Sequence, residues 1–129
     1  DLPRGSGTIL VAEDEAGILA LVERTVVSLG YRCLAASDGE EALALTEAEG
    51  GAIDLIISDV VMPRLGGPAF VALFRHRHPD VPVIFMTGYA TALEVPGIAV
   101  PAYQGMLHKP FTIAELTAMV RQVLATSAA

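Results

Sequence analysis

The sequence is poor in cysteine, in basic residues and in long apolar runs, and each shortage excludes a class of protein. Cys33 is the only cysteine, which excludes an internal disulfide and any metal site built from cysteines. Eight Lys and Arg residues stand against fifteen Asp and Glu, a formal charge of −7, so we expect no nucleic-acid binding, which depends on cations that neutralise phosphates. Gly, Pro or charged residues interrupt every apolar run before it reaches the roughly 20 residues that span a bilayer.

What remains indicates one soluble domain. With 129 residues, of which 53% are hydrophobic and 18% charged, the chain has enough apolar residues for a core and little room for a second domain. Residues 1–7 predict a linker, residues 8–125 the domain and residues 126–129 a tail. The polar start lacks the basic and then apolar pattern of a secretory signal, so we expect a cytoplasmic location and no direct membrane contact.

From residue 8 onward, short apolar runs alternate with segments of helical period. The runs at residues 8–12, 32–36, 53–58, 81–86 and 105–108 predict buried strands. A helix is predicted after each strand, and the pairs Asp38 with Glu41 and Thr112 with Glu115 have capping-box spacing at two of the starts. The fourth helix, which would open at Thr91, is expected to be short or irregular because Pro and Gly residues follow it closely.

Five β-then-α units in succession predict an α/β fold with a doubly wound parallel sheet and helices on both faces, because parallel strands need right-handed crossovers. Ligands in such folds bind beyond the carboxyl ends of the strands. The residues that follow the strands at this edge are Glu13, Asp14, Asp59, Thr87 and Lys109. Each alone has an ordinary structural explanation, such as a helix-start acid or a turn residue. If these separate explanations held, all five residues would share one edge of the sheet by accident. We therefore favour a common functional site.

The charges at this edge predict a divalent cation. Glu13, Asp14 and Asp59 bring three negative charges, and each pair costs roughly 3 kcal/mol at about 5 Å and an effective dielectric of about 20. Lys109 cannot offset three such pairs, whereas Mg²⁺ bound by carboxylates, water and a backbone carbonyl can. A shielded Asp59 could then attack phosphorus, with Thr87 and Lys109 donating to the phosphoryl oxygens.

Together these residues resemble the receiver domain of two-component response regulators over residues 8–125. The resemblance depends on an ordered set of motifs: Ile-Leu-Val-Ala-Glu-Asp-Glu at 9–15, Ser-Asp-Gly-Glu-Glu-Ala-Leu at 37–43, Asp-Leu-Ile-Ile-Ser-Asp at 54–59 with Met-Pro at 62–63, Met-Thr-Gly-Tyr-Ala at 86–90 and Lys-Pro-Phe at 109–111. It implies a flavodoxin-like sheet in the strand order 2-1-3-4-5 with five helices.

The resemblance also implies a role for each site residue. Asp59 would be the phosphoacceptor for a histidine of a sensor kinase or phosphotransfer protein. Asp14 and Asp59 would bind Mg²⁺ directly together with the backbone carbonyl of Val61, and Glu13 largely through water, while Thr87 and Lys109 would contact the phosphoryl group. The domain would be a signalling module that catalyses its own phosphorylation and dephosphorylation rather than an enzyme with a separate substrate, and it could form a weak dimer.

Some positions refine or depart from the family pattern. The residues before the first strand and the Thr-Gly-Tyr-Ala run resemble receivers of hybrid histidine kinases, and no output domain is expected after the last helix; a free-standing regulator remains the alternative. Met106 occupies a position where the family usually has Tyr or Phe, so we expect an altered output surface. Tyr89 is expected to slow hydrolysis of the acyl phosphate.

Two other functions fit these residues less well. A Mg²⁺-dependent phosphohydrolase that forms an aspartyl phosphate usually needs an acid just after the nucleophile, where this chain has Val60 and Val61. A flavin-binding domain would need Gly, Ser and Thr amides after the first strand, where this chain has acids.

Overall fold

The computed structural model describes residues 7–88 and 100–128. The predicted linker up to residue 6, Tyr89 and the start of the predicted fourth helix lie outside the described residues. The elements follow one another in the order β1 (Thr8–Ala12), α1 (Ala16–Ser28), β2 (Arg32–Ala36), α2 (Gly39–Ala48), β3 (Leu55–Asp59), α3 (Gly67–Arg75), β4 (Val83–Thr87), β5 (Gly105–His108) and α4 (Ile113–Ala128).

The strands form one parallel sheet in the order β2-β1-β3-β4-β5. Both the parallel arrangement and the predicted order 2-1-3-4-5 are therefore confirmed. The described residues contain four helices, since the predicted fourth of five falls outside them. Among these helices none has the length and apolarity that a membrane span requires.

Two predicted strands are shifted along the chain. β3 was expected at residues 53–58 and β4 at 81–86, but both begin two residues later and end one residue later. β3 begins later than the apolar run because Asp54 is exposed and its carboxylate accepts a hydrogen bond from the Thr8 N–H. Asp59 joins the end of β3 because it pairs with Met86 of β4. The pairing of neighbouring strands, which no local pattern reveals, therefore decides where each strand ends.

The predicted capping boxes form as their spacing indicates. The Asp38 carboxylate accepts a hydrogen bond from the Glu41 N–H at 2.8 Å, and Glu41 in turn accepts from the Ser37 N–H. At the start of α4, Thr112 and Glu115 exchange the same pair of hydrogen bonds, at 3.0 and 2.8 Å. Each box satisfies main-chain donors that the first turn of a helix leaves unpaired.

The core has two layers, one on each face of the sheet. Alternate strand residues such as Leu10, Ile56 and Phe85 pack on the side of α2 and α3. Their neighbours, such as Ile57 and Ile84, pack on the side of α1 and α4. A slip of one residue would turn every strand side chain to the opposite face, so burial on both faces fixes the register. The register in turn fixes the edge of the sheet at which the strands end.

We predict opposite effects for two glycine-to-alanine substitutions. A Cβ at Gly67 would collide with the backbone oxygen of Asp59, so Gly67→Ala should lower the free energy of unfolding by about 1–3 kcal/mol. Gly17, in the first turn of α1, has nothing within 4 Å of an added Cβ, so Gly17→Ala should raise that free energy by about 0.5 kcal/mol. Urea unfolding followed by circular dichroism measures both, and equal stabilities of the two variants would contradict this packing.

Candidate functional site

The strand ends bring the predicted site residues to one edge of the sheet. Glu13 directly follows β1, Asp59 ends β3, Thr87 ends β4 and Lys109 directly follows β5. Main-chain hydrogen bonds continue the strand pairing there: the Glu13 N–H donates to the Ala36 carbonyl at 3.0 Å, and the Lys109 N–H donates to the Thr87 carbonyl at 2.8 Å. The positions of these residues are therefore determined by the sheet rather than by flexible loops.

Three carboxylates form a cluster at this edge. Glu13, Asp14 and Asp59 each place a carboxylate oxygen within 4.8 Å of the other two. Glu13 and Asp59 are buried, whereas Asp14 is exposed. The cluster thus has a buried floor and one residue open to solvent, which leaves access for a ligand from outside.

Lys109 lies between the two buried carboxylates. Its Nζ is 2.8 Å from Glu13 Oε1 and 3.1 Å from Asp59 Oδ2, with Glu15 Oε1 further away at 3.9 Å. The Lys109 side chain is 15% exposed, compared with 0% for Glu13 and 10% for Asp59. One cation therefore serves two buried carboxylates, and the cluster keeps a negative charge whenever its acids are ionised.

Burial changes the protonation of this group. It raises the pKa of Glu13 to about 7, against the opposing contacts with Lys109 and the Glu15 N–H. Burial likewise raises the pKa of Asp59 above its ordinary value, again opposed by Lys109. Burial alone would lower the pKa of Lys109, but its contacts with Glu13 and Asp59 outweigh this effect and raise it. The lysine therefore stays charged while the carboxylates are only partly compensated.

The contacts of the two Glu13 carboxylate oxygens show whether a divalent cation fits the site. Oε2 accepts a hydrogen bond from the Glu15 N–H at 3.0 Å. Oε1 is buried and, apart from its ion pair with Lys109, accepts no hydrogen bond from the described residues. A buried carboxylate oxygen whose lysine is shared with Asp59 keeps lone pairs for a cation, and oxygen ligands of this kind are those that Mg²⁺ prefers. The residues present therefore fit a magnesium ion.

Three further predicted residues, Thr87, Val61 and Met106, lie in β4, after β3 and in β5. Thr87 is buried at the end of β4, opposite His108 of β5. Val61 is two residues beyond Asp59, in the connection between β3 and α3, with an exposed side chain. Met106 stands opposite Phe85 in the sheet and packs against the core on the side of α2 and α3.

Sequence reasoning missed two contributions to this region. The main-chain N–H of Glu15 holds Glu13, and a backbone donor leaves no signal in the sequence. Arg64, in the connection after Asp59, binds Asp38 at the start of α2. The only signal for Arg64 was a lone cation in a short loop after Pro63, which does not reveal its partner 26 residues earlier.

Comparison with known proteins identifies the family. The family model of the response regulator receiver domain matches residues 9–121. The sensor kinase CckA of Brucella abortus (strain 2308) is 38% identical over 120 residues, which are 93% of this chain and 13% of that kinase. The DNA-binding transcriptional regulator NtrC of Salmonella typhimurium is 33% identical over 122 residues, 92% of this chain and 25% of that protein.

A solved structure agrees with the sequence comparisons. The crystal structure of the receiver domain from the hybrid histidine kinase CckA superposes with a TM-score of 0.76 at 39% identity, covering 92% of this chain and 99% of that one. The chain thus covers nearly all of that receiver domain, whereas it spans only 13% and 25% of the two curated relatives named above. With the family model matched over nearly its entire length, the chain belongs to the response regulator receiver domain family of two-component signalling systems.

Proposed function

We propose that this receiver domain accepts a phosphoryl group on Asp59 from a histidine of a kinase or phosphotransfer protein, in a reaction that depends on Mg²⁺. The observation that carries the proposal is the surrounding of Asp59: its carboxylate lies at the strand edge, 3.1 Å from Lys109 Nζ and within 4.8 Å of oxygens from Glu13 and Asp14. A carboxylate at the strand edge that shares one lysine with a second acid and lies near a third suits transfer of a phosphoryl group better than a structural ion pair.

Each residue of the site has a chemical task in this reaction. An Asp59 oxygen forms the new bond to phosphorus as the phosphorus–nitrogen bond of the donor breaks, and the histidine nitrogen keeps that electron pair. Lys109 already contacts Asp59 and donates to a phosphoryl oxygen, and the Thr87 hydroxyl at the same edge donates to another. Mg²⁺ held by Asp14, Asp59 and the Val61 carbonyl, with Glu13 acting largely through water, would neutralise the carboxylates and the phosphoryl charge.

The rival functions find less support at this edge. A phosphohydrolase of the aspartyl-phosphate type would need an acid beside Asp59 to protonate its leaving group, but Val60 is buried and Val61 is apolar. A flavin phosphate would meet the carboxylates that follow β1 rather than a loop of free amides. The site is therefore suited to hold a phosphoryl group on Asp59 rather than to release phosphate from a succession of substrates.

The likeness to the receiver of the kinase CckA supports a role within a hybrid histidine kinase. In that setting the donor histidine would belong to the same signalling chain or to a phosphotransfer protein that it serves. A free-standing regulator would use the same site with a separate kinase. Identification of the upstream reading frame distinguishes the two arrangements.

Phosphorylation of Asp59 can be measured directly. Incubation with acetyl phosphate and MgCl₂ should add one phosphoryl group to the intact protein by mass spectrometry, because the Asp59 carboxylate is the nucleophile. Asp59→Asn should remove the adduct, and Asp80→Asn, which changes an exposed acid elsewhere, should retain it. Rapid turnover of added phosphomonoesters without a lasting adduct would instead support the phosphohydrolase.

Magnesium should stabilise the folded protein. A ligand that binds only the folded state at ten times its dissociation constant adds about 1.4 kcal/mol to the free energy of unfolding. We expect MgCl₂ to raise the melting temperature of the wild type and of Asp80→Asn, but much less that of Asp14→Asn, which removes one carboxylate of the cluster. Equal stabilisation of all three proteins would show that the ion binds elsewhere.

Without divalent cations, stability should fall as the pH rises from about 4.5 to about 7. In this range folded Glu13, with its pKa raised to about 7, keeps a proton that the unfolded chain, with a value near 4.5, has released. The contribution is fully present below pH 4.5 and is lost above pH 7. Melting temperatures in EDTA should show this slope in the wild type and in Glu47→Gln, an exposed control on α2, and a flatter profile in Glu13→Gln. An unaltered slope in Glu13→Gln would assign the effect to other groups.

A further inference from the structure

The connection between β3 and α3, residues 60–66, carries the chain from Asp59 past Val61 and is here called the β3–α3 loop. Its two ends are fastened by main-chain hydrogen bonds. The Val60 N–H donates to the Met86 carbonyl of β4 at 3.0 Å, and the Gly67 N–H donates back to the Val60 carbonyl at 3.1 Å. These bonds hold Val60 and the first residue of α3, whereas the residues between them need contacts of their own to be held in place.

Arg64, within this loop, has an unusual backbone conformation. Its φ of 67° makes it the only residue other than glycine with a positive φ among residues 7–88 and 100–128. The left-handed region is unfavourable for a side chain such as arginine, and it persists only where surrounding contacts enforce it. The Arg64 side chain is 59% exposed, so burial does not supply that enforcement.

The Leu65 N–H donates to the Pro63 carbonyl at 2.7 Å across Arg64, and an ion pair with Asp38 holds the Arg64 side chain. Arg64 Nε lies 2.7 Å from Asp38 Oδ2, and Nη2 contacts the same oxygen. The Asp38 side chain is only 5% exposed, and its other oxygen caps α2 by accepting from the Glu41 N–H. The Glu41 N–H and then Arg64 hold the pKa of Asp38 below its usual value. Asp38 is therefore a charged anchor that is itself held firmly by the start of α2.

A second contact joins the same two segments. The Gly39 N–H, next to Asp38, donates to the Leu65 carbonyl, next to Arg64, at 2.9 Å. A Cβ at Gly39 would collide with that Leu65 carbonyl, so the two backbones approach as closely as glycine permits. The start of α2 and the β3–α3 loop are thus connected by an ion pair and a main-chain hydrogen bond at adjacent residues.

We propose that the Asp38–Arg64 pair is a positioning element of the phosphoacceptor site, which holds the β3–α3 loop in the conformation that the cation and the phosphoryl group require. The inference rests on the function proposed above. Neither residue belongs to the carboxylate cluster, so both act through the backbone between Asp59 and α3. Partners that orient metal ligands from outside the ligand set commonly affect metal affinity, and here the oriented group would be the main chain at Val61.

The chain offers a matched control for this pair. Arg32 and Glu49 form another arginine–carboxylate ion pair, with contacts of 2.6 and 3.0 Å, between β2 and the end of α2. Arg32→Gln removes a comparable pair without touching the β3–α3 loop. The two arginines are similarly exposed, whereas Glu49 is more exposed than Asp38, so urea unfolding of each variant is needed to separate lost stability from lost Mg²⁺ binding.

The experiment uses MgCl₂ as the probe on the unphosphorylated protein. Arg64→Asn removes the guanidinium but keeps a residue that tolerates a positive φ, and Asp38→Asn removes the charge but keeps an acceptor for capping α2. The Mg²⁺ dissociation constant is measured from amide chemical shifts, and urea unfolding is measured on the same samples. Arg64→Lys tests whether charge without the planar fork rescues binding in part.

We expect the Mg²⁺ dissociation constant to rise about tenfold in Arg64→Asn and Asp38→Asn, less in Arg64→Lys, and not at all in Arg32→Gln. Wild-type Mg²⁺ affinity in both pair variants would overturn the inference, even if Asp59 is phosphorylated normally. A weaker affinity that only follows lost stability, and so appears equally in Arg32→Gln, would overturn it as well. Failure of acetyl phosphate to label the wild-type protein is a separate result and would contradict the proposed function instead.

Discussion

Two carboxylates buried beside a single lysine are the constraint on which the rest of the site depends. Glu13 and Asp59 are removed from water by the end of the sheet, and Lys109 can compensate only one of them fully. Buried charges are stable only with partners, so the group either keeps a proton, which the raised pKa of Glu13 indicates, or binds a cation. Because Asp14 is exposed, a cation can reach the cluster from solvent. One electrostatic imbalance thus underlies both the proposed metal binding and the proposed phosphoryl chemistry.

The sheet makes that imbalance possible because it sets the distances between the acids. Both faces of β3 and β4 are fully buried, so neither strand can shift without exposing one core layer and crowding the other. The strands hold Asp59 and Thr87, while the β3–α3 loop contacts the start of α2 at Asp38 and Gly39. The site therefore combines a floor fixed by the core with a rim fixed by polar contacts such as the pair of Asp38 and Arg64.

Much of the fold was predictable because its signals are local. Short apolar runs indicated the five strands, and the spacing of Asp38 with Glu41 and of Thr112 with Glu115 indicated helix starts that the structure confirms. The strand ends were less predictable. β3 extends to Asp59 because Asp59 pairs with β4, and an apolar run does not show which strand will pair with it. The members of the carboxylate cluster could be named in advance because each follows a predicted strand, and parallel strands end at a common edge.

The sequence by itself determined the order of strands and helices along the chain, the excess of acids and the edge at which Asp14, Asp59 and Lys109 would meet. These features follow from periodicity, capping and the rules of parallel sheets, all of which act over a few residues or through topology. Only the tertiary structure decided that Glu13 is wholly buried, that Lys109 bridges it to Asp59, and that Arg64 reaches Asp38. Such contacts join residues 26 to 96 positions apart, and they depend on packing distances that no stretch of sequence contains.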